Sequence, residues 1–134
     1  MKRTAALLAW LPALFGGWNV TATELTIATF NVSMEAENYV AKGAPLGPEV
    51  LATLLKKGDH PQIGTIAAII QQVQPDIILL NEFDYIADPA AGVQLFIDNY
   101  LAKAQQGGKP LHYPYHFYST VNTGQPSGVD FNNV

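Results

Sequence analysis

The chain has 134 residues, 49% of them hydrophobic and only 13% charged, with seven Lys+Arg against eleven Asp+Glu for a formal charge of −4. That length suits about one average domain, and so apolar and charge-poor a composition excludes an intrinsically disordered chain. With no basic excess the chain does not grip polyanions by charge alone, and with no cysteine it has no disulfide, thiolate metal site or cysteine nucleophile.

Met1-Lys2-Arg3 is a short positive leader to an apolar run from Thr4 to Trp18 that Pro12 and Gly16-Gly17 interrupt. The run is shorter than the roughly 20 residues that span a bilayer, and Val20-Thr21-Ala22 offers the small residues that a signal peptidase reads. Residues 1–22 are therefore expected to be a signal peptide, which makes the protein exported, to the periplasm or the extracellular space. An uncleaved anchor and an ordinary N-terminal helix are the alternatives. Cleavage removes Lys2 and Arg3 and leaves a more acidic chain, residues 23–134.

Glu24 to Val32 alternates β-prone residues and ends near Asn31, which predicts a strand buried on both faces. Ser33 to Leu46 has no periodicity and is expected to be a loop. Pro48 to Lys57 predicts a helix, with Pro48 in the first turn, an apolar stripe of Val50, Leu51, Leu54 and Leu55, and Gly58 as its cap. Gln62 to Gln74 predicts a second, with Ile63, Ile66, Ala67, Ile70 and Val73 on one face and Pro75 as its stop. The run Ile77-Ile78-Leu79-Leu80 suits a central strand covered on both faces, delivering Asn81-Glu82 at its end. Ala90 to Ala104 predicts a third amphipathic helix and Tyr113 to Val121 a third strand. The order strand, helices, strand, helix, strand is that of an α/β layer protein.

Functional side chains collect at the carboxyl ends of strands in an open α/β sheet, so Asn31 and Glu82 form a candidate site. Mg²⁺ is commonly held by one or two carboxylates plus water and substrate oxygens, so one glutamate is not too few. The plainer alternative is that Asn31 caps a turn and Glu82 is a solvated strand-end carboxylate. Asp84 reads as a turn residue or a partner to the site, and Glu35 and Glu37 as solvated loop residues. His60 precedes a proline in a turn and reads as a surface or capping residue. His112 and His116, on an extended segment, lie about 13 Å apart, too far to chelate one zinc ion. Asn122-Thr123-Gly124 and Ser127-Gly128 could hydrogen-bond a phosphate, although most such stretches are simply turns.

Leu25-Thr-Ile-Ala-Thr-Phe-Asn31-Val32, followed by Ile69-Ile-Gln-Gln-Val-Gln-Pro75-Asp76-Ile-Ile-Leu-Leu-Asn81-Glu82-Phe83-Asp84, resembles the opening motifs of the endonuclease/exonuclease/phosphatase superfamily. The stretches from His60 to Tyr85 and from Tyr113 to Asp130 are similar to its exported bacterial members. The resemblance implies the N-terminal half of a four-layer α/β sandwich, two packed and mainly antiparallel sheets flanked by helices. It also implies metal-dependent hydrolysis of a phosphoester, with Mg²⁺, or alternatively Mn²⁺ or Ca²⁺. Glu82 matches the family's metal-binding glutamate, and Asn31 matches the strand-end asparagine that orients metal and phosphate. Some members carry Asp where Ser33 stands, and the family's C-terminal Asp-His pair has no counterpart in His112 or His116. The implied partner is a phosphoester substrate, whether nucleic acid, nucleotide, or a phospholipid or inositol phosphate head group, with no obligate protein partner. A chain of this length is expected to be an incomplete domain, inactive alone. The competing reading is a non-catalytic exported α/β binding or surface module.

Overall fold

The computed structural model describes residues 24–120. The signal-peptide expectation for residues 1–22, and the polar stretch from Asn122 to Gly128, lie outside the described residues. Strand β1 spans Ile27–Met34, helix α1 Pro48–Lys57, helix α2 Pro61–Val73 and strand β2 Ile77–Phe83. Helix α3, Val93–Phe96, runs directly into a wide π-helical turn, Ile97–Leu101. The mixed α/β expectation holds, in the form of a two-stranded parallel sheet.

The helix boundaries follow from local chemistry. Pro48 and Pro61 open α1 and α2 with φ already suited to a helix and no N–H to leave unpaired. Gly58 closes α1 in the left-handed region at φ 69°, its N–H donating to Leu54 O at 3.2 Å. Gln74 closes α2 likewise at φ 53°, just before Pro75 ends any continuation. Between these stops, Leu51 and Leu55 of α1 and Ile63, Ile66, Ala67 and Ile70 of α2 are buried with Val32 and Met34 of β1 in one core. Full burial of a side chain such as Ile63 or Leu55 is worth about 1.5–3 kcal/mol. Phe96, Ile97, Tyr100 and Leu101 join the same core, so all three helices share one face of the sheet.

The opposite face is open, which corrects the expectation that both strands are covered twice. Ile27 is 68% exposed and Leu79 is 61% exposed, and Ile27 pairs in register with Ile77, itself exposed. An unbroken β-branched run reads the same whether the second cover comes from nearby sequence or from elsewhere, so periodicity could not tell the cases apart. A second sheet, antiparallel pairing and the remaining layers of a four-layer sandwich are not seen among the described residues.

Three further expectations are corrected. Ser33 and Met34 belong to β1, and Ala36–Asn38 form a 3-10 turn inside what reads as a loop. The third helix is shorter than Ala90–Ala104, because Pro89 and Gly92 delay its start and Leu101 O is taken by Leu111 N–H at 2.8 Å. Tyr113 to Thr120 makes no strand ladder among the described residues. Pro114 lacks a donor there, and tyrosine hydroxyls fasten the segment instead: Tyr113 donates to Pro75 O at 2.7 Å and Tyr118 to Ala87 O at 2.8 Å.

Candidate functional site

Parallel pairing sends both strands the same way, so their carboxyl ends finish side by side. The register runs evenly from Ile27↔Ile77 to Asn31↔Asn81, then slips, with Met34 opposite Phe83. Two residues of β1 in this slipped region thus lie against one of β2, the signature of a bulge, which bends the strand and re-aims its side chains. Asn31 lies on the open face with Ile27 and Thr29, and Asn81 on the same face donates to Thr29 Oγ1 at 3.0 Å.

Ser33 and Glu82 both take left-handed backbone, at φ 47° and φ 56°. Non-glycine residues in that region carry about 1–3 kcal/mol of strain and cluster at functional sites. At the bulge, Asn31 Oδ1 accepts the Ser33 N–H at 3.1 Å, an Asx turn that makes the left-handed Ser33 affordable. The Ser33 hydroxyl lies 3.3 Å from Asn31 Oδ1 and 3.4 Å from Glu82 Oε2, and its single proton serves one of them at a time. Ser33 therefore joins the two residues singled out in the sequence. Periodicity alone places Ser33 at the start of a loop, although Asn-x-Ser after a strand is itself a signal for an Asx turn.

Asp84 ties the two strand ends together from behind. Its Oδ2 accepts the Ala36 N–H at 2.7 Å, while its own N–H donates to Met34 O at 3.1 Å. Glu35 follows β1, and burial first, then the charges of Glu82, Glu37 and Asp84, raise its carboxyl above the ordinary carboxylate range. The end of the sheet that carries Glu82 is thus a concentration of negative charge.

The histidines stand apart. His60 occupies the N-cap position of α2 but makes no capping hydrogen bond with its side chain, and packs edge-on against Tyr39 at 5.1 Å. His116 stacks beside Tyr118 at 6.3 Å. Neither His112 nor His116 enters the hydrogen bonds that join Asn31, Ser33 and Glu82.

No group of three or more His, Asp or Glu residues with metal-holding geometry occurs among the described residues. What Asn31, Ser33 and Glu82 offer is one carboxylate, one amide oxygen and one hydroxyl, all hard oxygen donors. That set suits Mg²⁺ with water completing its shell, and is wrong for a soft or imidazole-preferring ion. Comparison with protein-family models, curated proteins and solved structures found no match in any of the three.

Proposed function

We propose that this chain carries the metal-binding end of an exported phosphoester hydrolase of the endonuclease/exonuclease/phosphatase type. The observation that carries the reading is the meeting of Asn31 and Glu82 across parallel strand ends, through Ser33. The sequence motifs reach the same two residues independently. On this reading the open face around Ile27, Ile77 and Leu79 is where a second sheet would pack to give the four-layer sandwich.

Glu82 would hold Mg²⁺ with one carboxylate oxygen, the other remaining within reach of the Ser33 hydroxyl. Asn31 would present its amide to the metal or to a phosphate oxygen, its orientation fixed by the Ser33 N–H. A divalent ion held by these residues would supply neutralisation of phosphate charge for attack by water. The acidic surroundings of Glu35 and Asp84 favour a divalent cation and disfavour a bare phosphodiester, so metal loading would precede substrate.

The test has two arms. Mn²⁺, a paramagnetic stand-in for Mg²⁺, should broaden the backbone resonances of Asn31, Ser33 and Glu82 first, and Glu82→Ala should abolish that broadening. In the longest natural product containing these residues, Mg²⁺-dependent cleavage of bis-p-nitrophenyl phosphate should fall to background with Glu82→Ala. Broadening centred elsewhere, or unchanged turnover in the variant, overturns the reading.

A further inference from the structure

An apolar cavity of about 810 Å³ lies beside β2, between its outer edge and the segment from Tyr113 to Ser119. Its walls on the core side include Ile78, Leu80, Phe83, Ile86, Phe96 and Ile97. Among the described residues no backbone hydrogen bond reaches the edge of β2 that faces away from β1. Unpaired strand edges and open apolar hollows are both costly, and here they share a boundary with an extended segment held at each end.

The tethers set the direction of that segment. Tyr113 is fastened to Pro75, before β2 begins, and Tyr118 to Ala87, after it ends, so the segment runs parallel to β2. Topology fixes its side. The chain passes from β1 to β2 by way of α1 and α2, and α3 lies on the same face. Successive right-handed crossovers over one face step across the sheet in one direction, which brings the next strand to the edge of β2 opposite β1.

Side-chain parity supplies the third argument. Tyr113 already packs against the core, whereas Tyr115 is 89% exposed and Phe117 is 92% exposed. In an extended strand residues 113, 115 and 117 share a face. Ile77 N–H donates to Thr26 O, so the core-face residues of β2 aim their backbone away from β1. On the next parallel strand Tyr115 and Phe117 would aim theirs outward, and Pro114 and His116 would face β2. Pro114, which lacks an N–H, would offer only its carbonyl, as suits the first residue of a strand.

We propose that Tyr113–Ser119 is a strap that closes onto the free edge of β2 as a third parallel strand, swinging Tyr115 and Phe117 into the cavity. The closed register follows from the Tyr113 tether and the shared face: Tyr113 beside Asp76, Tyr115 beside Ile78 and Phe117 beside Leu80. Closure satisfies the edge of β2 with backbone partners, which an apolar ligand in the cavity could not do. The open arrangement leaves both rings in water. Because β2 carries Glu82 at its far end, closure also braces that residue's strand from the side opposite β1.

The chain has no cysteine to interfere, so engineered disulfides read the register directly. Leu79→Cys with His116→Cys places both thiols on the outer face of the closed pair, while Leu79→Cys with Tyr115→Cys places them on opposite faces. The first pair should oxidise at least about tenfold faster to an intramolecular disulfide, since bridging requires Cβ atoms about 3.5–4.5 Å apart. Equal rates, or no disulfide in the first pair, overturn the proposal. The unsubstituted protein gives a second reading that no folding defect can confound: amide exchange at His116 and Tyr118, whose N–H groups face β2 in the closed register, should be slowed by at least about tenfold relative to an unstructured peptide. Exchange at the free-peptide rate rules the closed strand out.

Discussion

Ser33 and Glu82 face each other across the ends of β1 and β2, both in left-handed backbone, with Ser33 Oγ 3.4 Å from Glu82 Oε2. Neither conformation is one a serine or a glutamate adopts without support. The bulge between Asn31 and Met34 supplies it on one strand, and Asp84 fastens the chain just beyond Glu82 on the other. The strain and the hydroxyl contact at Ser33 can be separated by substitution.

Ser33→Ala keeps the left-handed strain and removes the hydroxyl, whereas Ser33→Gly removes both. Ser33→Gly should therefore be the more stable of the two by about 1 kcal/mol, the order of cost of a left-handed L-residue. Urea unfolding of the two variants measures the difference. The two should weaken Mn²⁺ binding at Glu82 alike, since both lose the same oxygen. If the variants unfold at the same urea concentration, Ser33 is not strained as its φ implies.

Asp84→Ala should destabilise the protein by about 1.5–3 kcal/mol, because it leaves the Ala36 N–H without its charged acceptor. Asp84→Asn retains an oxygen at the same place and should recover more than half of that loss. Thermal unfolding of the pair distinguishes a lost tie from relief of negative charge near Glu35. The charge account alone predicts that both variants gain stability.

Much of this architecture was legible in the residues. Pro48 and Gly58 bracket α1, and Pro61 and Pro75 bracket α2, because proline and glycine act on the backbone locally, whatever the tertiary context. Asn31 and Glu82 could be placed for a similar reason: each follows an apolar run short enough to be a strand. The Ser33 bulge, the open face at Ile27 and Leu79, and the unpaired Tyr113–Ser119 segment were not legible. Register, cover and edge pairing are decided by what lies across the sheet, and one strand's sequence does not encode its neighbour.

Glu35 makes stability depend on pH in a stated direction. Burial and the neighbouring carboxylates raise its folded pKa above the ordinary 4.5, so the folded state favours the protonated form. The stability this contributes is complete below the unfolded pKa and is lost as pH rises through the folded value. Glu35→Gln, which cannot ionise, should accordingly be more stable than the parent at neutral pH, and the advantage should vanish below pH 4. Denaturant midpoints at the two pH values provide the check. An advantage that persists unchanged in acid would mean that charge at residue 35 is not its cause.

Tyr39 sets the limit at the alkaline end. Burial first, then the charges of Tyr100 and Asp84, push its hydroxyl up to about 12 from an ordinary 10.0. The folded chain thus resists ionisation that the unfolded chain accepts, and stability should fall as pH rises from 10 toward 12. Tyr100 and Tyr113, both raised chiefly by burial, add to the same fall. Unlike theirs, the Tyr39 hydroxyl is buried with no hydrogen-bond partner among the described residues. Tyr39→Phe should therefore cost nothing at neutral pH and gain up to about 1 kcal/mol, since it deletes an unsatisfied polar group and keeps the ring against His60. Above pH 10 the gain should widen, because one of the ionisations that oppose the folded state has been removed. Unfolding curves of parent and variant at pH 7 and pH 11 measure both effects. A variant less stable than the parent at pH 7 would show that the hydroxyl has a partner, and an equal gap at both values would show that Tyr39 does not titrate with unfolding.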